Sequence, residues 1–336
     1  MNRLLIIRLS ALGDVAMTVP AIYSLAEQYP ELHIDVLTRP FFAGLFINAP
    51  SNVHILTADF KSEYRGVRGM WRLLRRLSQL RPDGVADLHN VLRSWVIDVW
   101  FRMLGVKVAM VDKNRRERRK LFSEKAAQKN FVERYADVFA SLGLPVKVGF
   151  VSLYERREAE PPFEPKQPAA GIAPFARYAN KSYPLDKMHR TVELLSEAGV
   201  NVYLFGARGA EAEKMQAWAD GTANCHSVAG RYPLAGEVAL MQRMKVMVSM
   251  DSANHHLASL AGTPVVSIWG STTPACGFMG YGQAAENAVC LGLECQPCSV
   301  AGAPECPLGH MACMNGIDPQ EIARKVLDII EKQTND

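Results

Sequence analysis

The residue types that could do chemistry in this chain cluster at a few turns. Asp14 closes the short run Ser10, Gly13, Asp14 within "LLIIRLSALGDVAMTVPAIYSLAEQYP", residues 4–30. An apolar run leads into the turn and a helical pattern leads out, so the carboxylate stands at a strand–turn–helix junction. The segment is neither G-x-x-x-x-G-K-[ST] nor G-x-G-x-x-G. Two uses remain open. Asp14 can cap the first helical turn, or it can take a proton from a bound hydroxyl as a general base. Gly13 lets a ligand approach the backbone closely, and Ser10 can cap the turn or orient the carboxylate.

A second group lies in "VMVSMDSANHHLASLAGTPVVSIWGSTTP", residues 246–274. It reads as strand, Asp-Ser turn, helix, Gly-Thr-Pro turn, strand and a donor-rich turn at Gly270, Ser271 and Thr272. Asp251 or Ser252 alone would serve as an N-cap. The same helix start, at Ala253, presents N–H groups that suit a phosphate. A carboxylate would repel a phosphate, so Asp251 is expected to face sugar hydroxyls. His256 lies one turn beyond Ser252 on the same helix face. Arg177 and Lys181, in "FARYANKSYPLDKM", stand on a loop before a helix. Two such cations can clamp a diphosphate, or they are plain surface charge. In "DLHNVLRSW", residues 87–95, His89, Asn90, Arg93 and Ser94 open another helix, and Arg93 suits an anionic ligand. Trp95, Val96 and Trp100 read as core.

Five of the seven cysteines fall in "CLGLECQPCSVAGAPECPLGHMACMNGI". Cys295 and Cys298 form C-x-x-C, and Cys306 and Cys313 follow without a second such pair. These four are weak candidates for structural zinc. A reduced or occasionally cross-linked loop is the competing reading, and no catalytic metal is expected.

These groups need elements to position them. The chain has 336 residues, 49% hydrophobic and 21% charged, enough for two packed domains. Strands are expected at 4–9, 33–37, 53–56, 84–88 and 106–111, with helices at 14–29, 67–80, 91–104 and 132–142. Residues 155–170, "ERREAEPPFEPKQPAA", are rich in proline and charge and read as a linker. The alternation then restarts. Strands are expected at 170–173, 200–205, 246–250 and 264–269, with helices at 185–197, 210–219, 234–243, 253–260 and 319–332. This predicts an N-terminal domain over 1–155, a linker over 156–169 and a C-terminal domain over 170–336. Each is α/β with a doubly wound, mainly parallel sheet. Ligands bind such sheets at their carboxyl edges, here on either side of a cleft. No signal peptide or membrane span is read, so a cytoplasmic protein is expected. The net charge of +4 is concentrated in two basic stretches, residues 64–81 and 112–120. They read as solvated surface or as a face for an anionic partner. No nucleic-acid module accompanies them, and nucleic acid is not expected as a partner.

Three of these stretches together resemble glycosyltransferase family 9, the ADP-heptose:lipopolysaccharide heptosyltransferases and their relatives. They are the Gly-Asp of the first turn, Lys-x-[Trp/Tyr]-Pro after the linker, and "DSANHHLASLAGTPVVSIWGSTTP". The resemblance implies a GT-B fold, two Rossmann-like domains facing each other across a cleft. It implies inverting transfer from an ADP-sugar with no cofactor or metal required. Asp14 falls on the general base. Lys181 falls on the lysine that contacts the donor diphosphate. Asp251, Ser252, Ala253 and His256 fall on the element around the donor phosphates and heptose, with Gly270 and Thr272 on the donor side. Glu211 falls near a glutamate that holds the ribose, and Glu213 is its rival. Ala176 and Arg177 stand where close heptosyltransferases have two threonines, so Arg177 would replace hydroxyl contacts with a charge. Ser10, Gly13, Asn90, Arg93, Arg115 and Arg116 are the expected acceptor-side residues. The implied partner is an anionic inner-core glycolipid on lipid A, met by a monomer on the cytoplasmic face of the inner membrane. Two alternatives stand beside this: a GT-B transferase with another nucleotide sugar or glycan acceptor, and a zinc-containing nucleic-acid-binding adaptor.

Overall fold

The structure is a computed structural model that describes residues 1–113 and 115–335. It divides into two units, one of Met1–Asn114 and Lys129–Val151, the other of Arg115–Gln128 and Ser152–Asp336.

The first unit is built on five parallel strands: β1 (Arg3–Ile7), β2 (His33–Thr38), β3 (Val53–Thr57), β4 (Gly84–Asp87) and β5 (Lys107–Met110). Their order is β3-β2-β1-β4-β5. β1 therefore has β2 on one side and β4 on the other, and the winding reverses between β1 and β4. Ile7 lies level with Leu37 and with Asp87, so the chain leaves both central strands at the same edge. Leu5, Ile7 and Val85 pack against Leu73, Leu77, Ile97 and Phe101 from the covering helices.

The second unit repeats the plan with β6 (Ala169–Ala173), β7 (Asn201–Leu204), β8 (Cys225–Ser227), β9 (Val246–Met250), β10 (Val265–Ile268) and β11 (Ala288–Val289). Their order is β11-β10-β9-β6-β7-β8, and the winding reverses between β6 and β9. Val202, Leu204, Val246 and Val248 form its core with Met188, Val192, Leu195 and Val326. Strands buried on both faces explain the near-continuous apolar runs.

Local differences from the sequence expectations have physical causes. The helix expected over 14–29 is two helices, Leu12–Ala16 and Thr18–Gln28. Pro20 has no N–H to give to Ala16, and the Thr18 hydroxyl donates to the Val15 carbonyl at 2.7 Å. β8 and β11 are too short to show periodicity. Residues 115–124, expected only as basic surface within the 1–155 domain, form a helix that groups with the second unit. There Gln128 N–H donates to the Ala275 carbonyl at 2.7 Å and Lys125 Nζ to the Glu294 carbonyl at 2.8 Å. Trp95 and Val96, expected in the core, are exposed, and Trp100 is half-buried. Among the described residues no helix is long and apolar enough to cross a membrane.

Candidate active site

In both units several of the expected residues follow the strands between which the winding reverses, which is where open α/β sheets bind ligands; Gly270 and Thr272 follow β10 and Glu211 follows β7. In the first unit the loops after β1 and β4 meet. Arg8 is buried directly after β1, its Nη1 donating to the Leu88 carbonyl at 2.5 Å. Its Nη2 lies 2.7 Å from Asp14 Oδ2. The Asp14 carboxylate also accepts the Ala11 N–H at 3.2 Å. Asp14 does close the first helical turn, yet its side chain stays about a third exposed while the guanidinium that holds it is buried. Gly13 is in the same short helix.

Ser10 Oγ is 3.2 Å from His89 Nε2 across the same edge. Burial pushes the His89 imidazole down to about 3, with Arg8 and Lys113 adding to the effect, so it is a neutral ring. The turn that carries it is held by Asp87, whose Oδ1 accepts the N–H groups of His89 at 2.8 Å and Asn90 at 2.9 Å. Beneath lies the buried Asp98, whose carboxyl is pushed up to about 8 by burial and then by neighbouring Asp87. Asn90 is at positive φ, and its amide is committed within the turn. Nδ2 donates to the Val111 carbonyl at 2.8 Å and Oδ1 accepts Trp95 Nε1 at 2.7 Å. Arg93 stacks on Phe60, 4.5 Å from the ring centre. The side chains of Arg115 and Arg116 lie outside the described residues.

In the second unit the loops after β6 and β9 meet. Lys181 Nζ is 2.6 Å from Asp251 Oδ2, and both side chains are almost entirely buried. The Thr272 hydroxyl donates to the same oxygen at 2.6 Å. Asp251 is thus engaged by a lysine and a hydroxyl. Ser252 occupies the cap position of the helix Ala253–Ala261, but its hydroxyl pairs with Ser249 Oγ at 3.1 Å rather than with the helix. His256 is buried on that helix beside His255. Burial holds His255 neutral, and its Nε2 accepts the Gly280 N–H at 3.0 Å. Arg177 lies over the Tyr178 ring, 5.4 Å from its centre. Glu211 Oε2 accepts the Ala207 N–H at 2.8 Å, fixing the turn after β7.

Gly270 is a glycine for steric reasons: a Cβ there would stand 2.9 Å from the Asn180 carbonyl oxygen. That carbonyl accepts the Ser271 N–H at 3.1 Å, tying the Lys181 loop to the turn after β10. The cysteine-rich segment braces both. Cys298 and Ser299 N–H groups donate to the Ser271 carbonyl at 3.0 Å, Gln296 Nε2 to the Gly270 carbonyl at 2.7 Å, and Ala303 N–H to Asn180 Oδ1 at 2.9 Å. Gly302 sits on the Lys181 stem, where a Cβ would clash with Cδ at 2.5 Å. All seven cysteines are free thiols. Among the described residues no three or more His, Cys, Asp or Glu side chains are gathered so as to hold a metal ion. Burial, then Cys298, Cys295 and Cys306 nearby, pushes the Cys313 thiol up to about 11.

Sequence reasoning missed Arg8, His89 as the partner of Ser10, Asp98 and Asn180. One signal was present. Arg8 interrupts an apolar run, and a charge there must be paired to be buried.

The two sheets place the chain in a structural class. It shares its fold with E. coli heptosyltransferase WaaC with ADP-2-deoxy-2-fluoro heptose, at a TM-score of 0.68 and 18% identity over 98% of this chain and 99% of that one. It is similar to the family 9 glycosyl transferase from Veillonella parvula, at a TM-score of 0.74 and 15% identity over 98% of each. These are GT-B-type glycosyltransferases, with two parallel-sheet α/β domains. Residues 70–308 match the glycosyltransferase family 9 (heptosyltransferase) model, and the chain belongs to that family. It is 26% identical to lipopolysaccharide heptosyltransferase 1 of Pseudomonas aeruginosa over 319 residues, 88% of this chain and 86% of that protein. The protein is a glycosyltransferase.

Proposed function

We propose that this enzyme transfers heptose from ADP-heptose to an inner-core sugar of lipopolysaccharide on lipid A, with inversion and without a metal. In-line displacement needs a base beside the attacking hydroxyl and positive charge beside the leaving diphosphate. In this reading Asp14 takes the acceptor proton as the new C–O bond forms. Arg8 aims the carboxylate, and Ser10, Gly13, His89 and Arg93 line the acceptor side. The bond from the anomeric carbon to the diphosphate oxygen breaks, and ADP leaves with its charge met by Lys181, Arg177 and the N–H groups opening the helix at Ala253. Asp251 and Thr272 position Lys181, His256 and Ser252 face the sugar and phosphates, and Glu211 serves the ribose. An anionic glycolipid acceptor makes the membrane surface the place of work.

The observation that carries the reading is the pair of ion pairs at the two winding reversals, Arg8–Asp14 and Lys181–Asp251. The test is incubation with ADP-heptose and a heptose-free lipid A acceptor bearing inner-core sugar, followed by mass spectrometry. One heptose gained per acceptor, with ADP released, is expected. Arg177, a cation where close relatives carry a hydroxyl, favours one competing donor reading: another nucleotide sugar. Consumption of such a sugar with ADP-heptose untouched would overturn the donor assignment.

A further inference from the structure

The helix Leu92–Met103 turns a stripe of apolar residues toward solvent. Leu92, Val96, Val99 and Met103 follow the i, i+4, i+7, i+11 spacing of one stripe, and they are 74%, 41%, 52% and 69% exposed. Trp95 is exposed beside them. The opposite face, which is buried, carries Ser94 and Asp98 along with Ile97 and Phe101. The neighbouring helix Gly66–Gln79 continues the patch with exposed Val67 and Trp71. Trp71 meets Trp100 edge-on, with ring centres 5.2 Å apart, and this joins the two faces. Arg75 lies over the Trp71 ring at 5.4 Å, and exposed Arg68 and Arg72 extend a cationic row beyond it. The one acid on either helix, Asp98, is buried.

We propose that the outer faces of these two helices dock on an anionic lipid bilayer, the apolar stripe entering the acyl boundary and the arginines meeting headgroup phosphates. Contiguous exposed apolar surface of this kind marks an interaction site. An apolar face edged by cations, with tryptophans between, is the chemistry of an interfacial helix lying in the membrane plane. A second copy of the chain fits less well, because a symmetric contact would press one arginine row against another. The proposal rests on the glycolipid-acceptor reading for its purpose, but the surface that carries it is independent of the donor.

The test is co-sedimentation of the full chain with phosphatidylcholine vesicles and with phosphatidylcholine/phosphatidylglycerol vesicles. Neither contains a sugar acceptor, so failure of the heptosyl-transfer assignment would leave this result untouched. Binding to the anionic vesicles alone, weakening with added salt, is expected. Replacing Leu92, Val99 and Met103 together by Ser should lower partitioning at least about tenfold. Replacing Arg68, Arg72 and Arg75 together by Gln should lower it about tenfold or more and flatten the salt dependence. All six side chains are exposed, and unchanged melting temperatures will confirm that both variants fold. In the wild-type chain, brominated acyl chains should quench tryptophan fluorescence, and Trp71→Phe should remove part of that quenching. Indifference of the wild-type chain to anionic vesicles would overturn the proposal. So would wild-type partitioning by both variants, or a dimer in lipid-free solution that the Ser variant dissolves.

Discussion

Arg8–Asp14 in the first unit and Lys181–Asp251 in the second are the same kind of contact at the same topological place. Each lies at the reversal between two parallel strands, at 2.7 Å and 2.6 Å; Arg8 and Asp14 both follow β1, with Arg8 reaching the Leu88 carbonyl after β4, while Lys181 and Asp251 join the loops after β6 and β9. They differ in which partner is hidden. In the first the cation is buried and the carboxylate is 32% exposed; in the second the carboxylate is 6% exposed and shared with Thr272. An open carboxylate on a rigid cation can still meet a ligand and take a proton. A closed carboxylate can only hold its lysine in place. In the proposed reaction the same kind of ion pair serves as a base in one sheet and as a mount for a cation in the other.

Breaking each pair in turn should separate these roles. The largest effect is expected from Asp14→Asn, which should lower turnover about 10²–10⁴-fold in a steady-state transfer assay. Turnover near wild type would remove the base from Asp14. Next comes Lys181→Ala, which should weaken ADP by about 2 kcal/mol, the worth of a charge-assisted hydrogen bond, and leave adenosine nearly unaffected. Equal losses for both ligands would argue against a phosphate contact.

The comparison sharpens when stability is measured. Asp251→Asn leaves a buried lysine without its counter-charge and should cost about 3–5 kcal/mol in urea unfolding. Asp14→Asn also leaves a buried cation, Arg8, but one that keeps the Leu88 carbonyl and a part-exposed neighbour, and should cost less, about 1–2 kcal/mol. Equal costs would erase the distinction between open and closed pairs. A smaller effect concerns the support under the first site. The Asp98 carboxyl is raised from 3.8 to about 8, with burial the main cause. Between those values the folded chain keeps a proton that the unfolded chain has lost, so stability should fall as pH rises. The slope should reach at most about 1.4 kcal/mol per pH unit. Asp98→Asn should flatten that slope in melts taken from pH 5 to pH 8.

Much of this was legible in the residues, and the reason differs by region. Apolar runs alternating with helical stripes identify two doubly wound sheets because parallel strands are buried on both faces. Asp14, Lys181, Asp251 and Ser252 stand out because polar side chains at strand ends punctuate those runs. Their pairing does not show, since Lys181 and Asp251 meet through strand order, which no local pattern encodes. Chain order alone puts Arg115–Gln128 with the first domain, while hydrogen bonds from Gln128 to Ala275 and from Lys125 to Glu294 tie the segment to the second unit. The cysteine-rich segment invited a metal reading. Its backbone N–H groups and the Gln296 side chain brace Asn180, Gly270 and Ser271, a role that spacing alone does not show.

Calorimetric titration of ADP into Asp14→Asn and Lys181→Ala side by side tests the division of labour most directly. Asp14→Asn should bind ADP with wild-type affinity despite its loss of turnover, and Lys181→Ala should bind it at least about tenfold more weakly. ADP weakened as much by Asp14→Asn as by Lys181→Ala would contradict the assignment of proton transfer to one ion pair and diphosphate binding to the other.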